Sequence, residues 1–191
     1  MYCIAGLHRG DLNNTFWESV EARRYAGARG DAVGHEFEEE VAQRLRELGL
    51  DAESGCRLSK LLNLKVSDEL GNIDVFALTK DKKRAWVIEA KDMRLCRTEV
   101  EVAARLSDFR GRMLRDSKGR EKPDKLLRHI RRVEFMRSHS AALAKALKLD
   151  AAPEIKGLLV ADCPRPMNFH MLEAVPDAAS VFLDAIDGFK F

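Results

Sequence analysis

An α/β fold with a mixed central sheet is predicted for this chain of 191 residues, and three observations predict it. Two short apolar segments, Asn72 to Leu78 and Ala85 to Ala90, are joined by the polar run Thr79-Lys80-Asp81-Lys82-Lys83-Arg84, which is the pattern of a β-hairpin. Both segments are apolar on both faces, as strands in the interior of a sheet are. A further strand-like run, Ile155 to Ala161, follows two long stretches of helical period, so helices and strands alternate along the chain. With 46% hydrophobic and 34% charged residues, one sizeable core under a charged exterior is expected, and one domain is the default at this length.

Residues 1–33 show no clean period. They are expected to form an N-terminal extension to a domain spanning 34–191, with a short docked helix from Asn14 to Arg24 that carries Trp17 and Val20, and a flexible connection over Tyr25-Ala26-Gly27-Ala28-Arg29-Gly30. A helix is expected from Gly34 to about Leu48, closed by Gly49 as a left-handed C-terminal cap. With Phe37 at zero and ~100° per residue, Leu48, Val41, Leu45 and Ala42 fall on one stripe between ~20° and ~140°. Glu38 falls inside that stripe near ~100°, whereas Glu39, Glu36 and Glu40 fall outside it.

Between Leu50 and Leu70 the sequence is ambiguous, and a strand is placed within Leu62 to Val66. Arg97 to Gly111 and Pro123 to Leu149 read as helices, the second breaking near Ser138-His139-Ser140, with a loop over Asp116-Ser117-Lys118-Gly119-Arg120 between them. The strand Ile155 to Ala161 ends at Cys163-Pro164-Arg165-Pro166. Phe169 to Ala174 is expected as a short helix, and Val181 to Ile186 as a short strand or helix.

Composition narrows the classes of function. No run of about eighteen apolar residues occurs, and the first residues have neither the basic start nor the apolar length of a signal peptide, so a soluble cytoplasmic protein is expected. Cys3, Cys56, Cys96 and Cys163 are far apart, and His8, His35, His129, His139 and His170 include no zinc-binding pair, so free thiols and no zinc site are expected. A net charge of +2 does not by itself mark a nucleic-acid binder, but Arg110 to Arg137 is strongly basic. Within it Lys125, Arg128, Arg131 and Arg132 recur at helical spacing, either as phosphate contacts or as a solvated helix face.

The chemistry lies in the hairpin. Asp74 stands in Gly71-Asn72-Ile73-Asp74-Val75-Phe76, and Glu89 and Lys91 stand in Val87-Ile88-Glu89-Ala90-Lys91. Burying a carboxylate without a partner costs several kcal/mol, so ionisable groups on neighbouring buried strands require a metal, each other or a substrate. A Glu-x-Lys pattern alone is commonly a solvated edge with an ion pair, but here Trp86, Val87, Ile88 and Ala90 surround it with hydrocarbon. Strand geometry projects Val87, Glu89 and Lys91 to one face. If the helix from Gly34 covers that face, Glu38, Asp74, Glu89 and Lys91 converge. Carboxylates with a backbone carbonyl suit Mg²⁺ or Mn²⁺.

Gly34-x-x-Phe37-Glu38, Gly71-x-Ile73-Asp74 and Glu89-Ala90-Lys91-Asp92 together resemble the motifs of the PD-(D/E)xK nuclease superfamily, in its restriction-endonuclease-like and Holliday-junction-resolvase-like branches. The resemblance implies a restriction-endonuclease-like sheet flanked by helices. It implies metal binding by Asp74, Glu89, the Ala90 carbonyl and Glu38, with Lys91 catalytic. It also implies Mg²⁺- or Mn²⁺-dependent hydrolysis of phosphodiesters, of DNA before RNA, by an enzyme plausible as a homodimer or as part of a larger defence or repair assembly. The rival is a catalytically silent module of the same fold that binds nucleic acid or a protein partner. Asn72 replaces an acidic residue often found before Ile-Asp, and no Gln-x-x-x-Tyr motif follows Lys91, which disfavours the RecB-like branch.

Overall fold

The computed structural model describes residues 20–92, 98–115, 119–162 and 178–191. Helix α1 (Val20–Glu47) leads into strand β1 (Asp51–Arg57), the short helix α2 (Leu58–Leu62) and a 3₁₀ turn (Asp68–Leu70). Strands β2 (Asn72–Leu78) and β3 (Arg84–Lys91) form the hairpin, followed by α3 (Glu99–Ser107) and a small ribbon of β4 (Met113–Arg115) and β5 (Glu121–Pro123). Helices α4 (Lys125–Ser138) and α5 (Ser140–Leu147), strands β6 (Glu154–Ala161) and β7 (Ala178–Phe182) and a 3₁₀ segment (Leu183–Gly188) complete the order. The main sheet runs β1-β2-β3-β6-β7, antiparallel through β3 and parallel from β3 to β7, so the mixed α/β class is as expected.

The hairpin strands and the break at His139 lie where the sequence places them. Other elements differ. Helix α1, described from Val20, runs unbroken through Gly27, Gly30 and Gly34, so Tyr25 to Gly30 is helix and not a flexible connection. Each glycine weakens a helix by about 1 kcal/mol relative to alanine, but no proline interrupts this run and the flanking Ala and Arg favour helix. The helix ends as expected, at Gly49 with φ +87°. Its inward stripe holds Phe37, Val41, Ala42 and Leu45 buried, whereas Leu48, expected on that stripe, is 38% exposed.

The strand expected within Leu62 to Val66 is instead β1, five or more residues earlier. Leu58 and Leu62 bury one helical turn apart, which fixes α2, and Asn63 closes it with φ 52°. The short strands β4 and β5, which the sequence did not announce, precede and follow the expected loop residues 116–120. Trp17, Cys3, Cys96, Cys163, His8, His170, the expected helix Phe169 to Ala174 and the loop residues 116–118 lie outside the described residues.

Two cores sandwich the sheet. On one face α1 packs Phe37, Val41 and Leu45 against Val75, Ala77, Trp86, Ile88, Ala90, Leu158 and Val160. On the other, α2, α4 and α5 pack Leu58, Leu62, Val133, Met136 and Leu143 against Phe76, Val87 and Ile155. This sorting of alternate residues sets which side chains of β3 meet which helix.

Candidate active site

Asp74 sits where the hairpin opens. Backbone pairing between β2 and β3 stops at Val75 with Ile88, while β3 continues to pair with β6 as far as Lys91 with Ala161. On the other side, β1 pairs Ser54 with Val75 and Cys56 with Ile73, leaving Gly55, at φ +63°, opposite Asp74. Val75 and Ile73 are two residues apart yet bury on opposite faces of the sheet, so the strand turns over at Asp74. Its carboxylate fills the opening: Oδ2 accepts the Ala90 N–H at 3.1 Å and pairs with Lys91 Nζ at 2.6 Å.

Lys91 bridges the two acids, reaching Glu89 Oε1 at 3.0 Å, and Arg132 of α4 donates from Nη1 to Glu89 Oε2 at 2.5 Å. Two carboxylates therefore face two cations, and both oxygens of Glu89 are engaged. Glu89 and Arg132 are buried, whereas the side chains of Asp74 and Lys91 are 14% and 26% exposed, so the cluster opens to solvent on the Asp74 side.

Charge and burial push the two carboxyls apart. Burial and the nearby Glu89 charge raise Asp74 to about 6 against the pull of Lys91. For Glu89 burial works upward as well, but Lys91, Arg132 and His129 outweigh it and hold the carboxyl below its ordinary range. Burial disfavours the Lys91 ammonium, yet Glu89 and Asp74 raise it above the usual lysine value. Asp74 is thus the acid of the pair that takes up a proton first.

Helix α4 seats close to the sheet because Gly157 lies beneath it. A Cβ there would stand 2.9 Å from Val133 Cγ2 and 3.2 Å from His129 Nε2, so any side chain would push the helix outward. His129 is fully enclosed, burial lowers it to about 4, and among the described residues neither its ring nitrogens nor the Arg132 Nε–H has a hydrogen-bond partner. At its start α4 is tied down by Asp124, whose buried carboxylate accepts the N–H groups of Leu127 at 2.7 Å and of Arg110 and Arg112 at 3.0 Å.

Three of the residues singled out in the sequence, Asp74, Glu89 and Lys91, meet in one cluster, and Ala90 joins it through its backbone N–H. Glu38 is placed differently. Helix α1 covers the face of Trp86, Ile88 and Ala90, not that of Val87, Glu89 and Lys91, because Val87 belongs with the core under α4. Glu38 does point inward, 15% exposed against 70% for Glu36 and 55% for Glu39, but its described partner is His35 Nδ1 at 3.1 Å. The exposed His35 is raised mainly by Glu38, with smaller contributions from Asp31 and Asp74, so this pair stands at the rim on the Asp74 side.

Of the four basic residues singled out on α4, Arg132 departs from the expected exposed face, because Glu89 offers it a buried counterion. Arg128 and Arg131 are exposed, Arg131 lying 3.6 Å from Met113 Sδ. Lys125 pairs with Asp108 at 3.2 Å and stands over the Phe109 ring. The sequence reading missed Arg132 as a partner of Glu89, together with His129 and Gly157. A charged residue and a histidine on a helix otherwise rich in buried Leu, Val and Met is the signal that points to the first two.

Among the described residues no three His, Cys, Asp or Glu side chains form a ready ligand group for a metal. The donors present are Asp74 and Glu89. Two carboxylates suit a hard ion such as Mg²⁺, which keeps several of its waters, and the burial and Glu89 charge that raise Asp74 are stresses a bound cation relieves. In this fit Asp74 presents Oδ1, as both described hydrogen bonds fall on Oδ2.

Fold and site together define an α/β protein whose mixed sheet parts at one end around a buried cluster of two acids and two bases. The chain belongs to the Upx-like family: the family model described as anti-phage protein Upx-like matches residues 1–184, a match consistent with a role in defence against phage. Comparison with curated proteins and with solved structures found no match. Among the described residues no helix is long and apolar enough to cross a membrane.

Proposed function

We propose that this anti-phage protein is a divalent-metal-dependent nuclease of the PD-(D/E)xK type that cleaves phosphodiester bonds, of DNA before RNA. The observation that carries the reading is the Asp74–Lys91–Glu89 contact at the point where β2 leaves β3: the ladder ends, and an acid, an acid and an ammonium occupy the gap. Local breaks of a strand ladder are over-represented beside active sites.

In this reading Asp74 and Glu89 hold Mg²⁺ or Mn²⁺, which when bound supplies Lewis-acid polarisation of the phosphoryl oxygen and an acidified water. The remaining work belongs to the chain. Lys91 orients the attacking water and stabilises charge on the phosphoryl oxygens, its ammonium kept protonated by the two acids. Arg132 fixes Glu89 from behind, so that the carboxylate keeps its position when Lys91 shifts toward substrate. Glu38 and His35 contribute at the rim, and the exposed Arg128 and Arg131 with Lys125 hold the phosphate backbone.

One observation favours the rival reading of a catalytically silent nucleic-acid-binding or interaction module in a defence assembly: the cluster is already neutral, two acids against two cations, with both Glu89 oxygens engaged. Incubation of supercoiled plasmid with the purified protein in Mg²⁺, Mn²⁺ or EDTA separates the two. The nuclease reading expects nicked or linear product in either metal and none in EDTA; intact plasmid in all three supports the silent module.

A further inference from the structure

A groove of about 840 Å³ opens between β1, α2 and α5, away from the contacts of the acid–base cluster. Its walls carry Arg57, Lys60 and Lys145, all exposed, and the side chains of all three lack any hydrogen-bond or ion-pair partner among the described residues. Glu53 is the one acid along it. Leu61, Leu64 and Leu147 supply apolar surface, and Leu64 is 41% exposed. Three cations without counterions around an apolar trough describe a site for a chain that is anionic along one side and apolar along the other.

The groove and the cluster lie beside the same stretch of the β1–β2 pair. Helices α2 and α5 pack on the same sheet face as α4, the face toward which Glu89 and Lys91 project. Gly55 lines the groove and stands opposite Asp74, and a Cβ built on it would meet nothing within 4 Å. Arg57 pairs with Asn72, two residues from Asp74, which places it roughly 7 Å along the strand. That is about one phosphate-to-phosphate step along an extended, unpaired strand.

We propose that this groove holds an unpaired nucleic-acid strand flanking the phosphate at Asp74, with Arg57, Lys60 and Lys145 on the phosphates and the bases over Leu61, Leu64 and Leu147. The substrate is then a junction between duplex and single strand, because the apolar wall of Leu61, Leu64 and Leu147 suits the unstacked bases of a single strand, whereas a duplex keeps its bases stacked inside. The proposal rests on the nuclease reading for the position of the cut, but the groove's preference for a single strand is a property of binding alone.

The test is fluorescence anisotropy in Ca²⁺ with a labelled blunt duplex and the same duplex bearing a six-nucleotide overhang, 5′ in one arm and 3′ in the other. The wild-type protein is expected to bind one overhang at least about tenfold more tightly than the blunt end, with a salt slope steeper by about two, since each single-strand phosphate contributes roughly 0.7. The variant Arg57→Ala/Lys60→Ala/Lys145→Ala should lose both the preference and the extra slope. Circular dichroism checks that it folds, and the single reversal Lys60→Glu should give a partial loss in the same direction. Equal binding of blunt and overhang duplexes by the wild type, or a preference that survives the triple variant, overturns the proposal. Cleavage is scored separately: an overhang preference without cleavage in Mg²⁺ or Mn²⁺ leaves the groove standing and removes the nuclease reading.

Discussion

Arg132 on α4 donates to Glu89 on β3 at 2.5 Å, and the two side chains are 5% and 4% exposed. A helix residue and a strand residue 43 positions apart thus form a dry ion pair behind the acid that faces Lys91. Removing one member of such a pair leaves the other charge without compensation, at a cost of about 3–5 kcal/mol. Urea unfolding of Arg132→Met should register a loss of that order, whereas Arg132→Met/Glu89→Gln should recover most of it. If the double variant is as unstable as the single one, Arg132 acts through packing and not through Glu89.

Asp74 and His129 give stability opposite dependences on pH. Asp74, raised to about 6, holds its proton more tightly when folded, so its contribution is present below the ordinary carboxylate value near 3.8 and is lost as pH rises through 6. Near neutral pH Asp74→Asn should therefore be as stable as the wild type or more so, with a flatter profile between pH 4 and 6.

His129, lowered to about 4, binds its proton more readily when unfolded. Its contribution is present above pH 6.5 and is lost as pH falls toward 4. His129→Gln should flatten acid destabilisation between pH 6.5 and 4 in chemical unfolding measured across that range. An unchanged slope would show that the ring gains a proton or a water partner in the folded protein.

The inward tilt of Glu38 separates it from its neighbours. Glu38→Ala should lower cleavage strongly while Glu36→Ala and Glu40→Ala change it little. Glu39→Ala should cost up to about 1 kcal/mol of stability, because Glu39 pairs with Arg46 and accepts from Ser54. Equal losses of activity from all four would point to the overall charge of α1.

Replacing Arg128 and Arg131 should reduce the salt slope of duplex binding by about two and raise KM more than it lowers kcat. Lys91→Ala should do the reverse, lowering turnover while DNA affinity in Ca²⁺ stays near wild type. An unchanged salt slope in the double variant assigns that face of α4 to solvent alone.

The hairpin and the identities of Asp74, Glu89 and Lys91 were legible in the sequence because two apolar strands bounded by a polar loop leave little choice, and charges inside them stand out. Period 2 states which residues share a face but not which helix covers it; Val87, equally apolar on either side, gave no sign that Glu89 would meet α4 and not α1. β1 was hidden for another reason. Asp51-Ala52-Glu53-Ser54-Gly55-Cys56-Arg57 buries only Ala52 and Cys56, so it lacks the hydrocarbon by which a strand is recognised, while the leucines of α2 beside it mimic one. Arg132 looked solvated because its counterion is distant in sequence, and Gly157 gave no signal because its role is to leave room for Val133 and His129.

The central claim is that the Asp74–Lys91–Glu89 cluster cuts nucleic acid. Its most direct measurement is single-turnover cleavage of a labelled oligonucleotide in Mn²⁺ by the wild type, Asp74→Asn, Glu89→Gln and Lys91→Ala side by side, with folding checked for each. Metal-dependent product from the wild type and loss of cleavage in all three variants is the expected result. Cleavage at the wild-type rate by Asp74→Asn and Glu89→Gln, or no cleavage by the wild type in any divalent metal, would contradict the account.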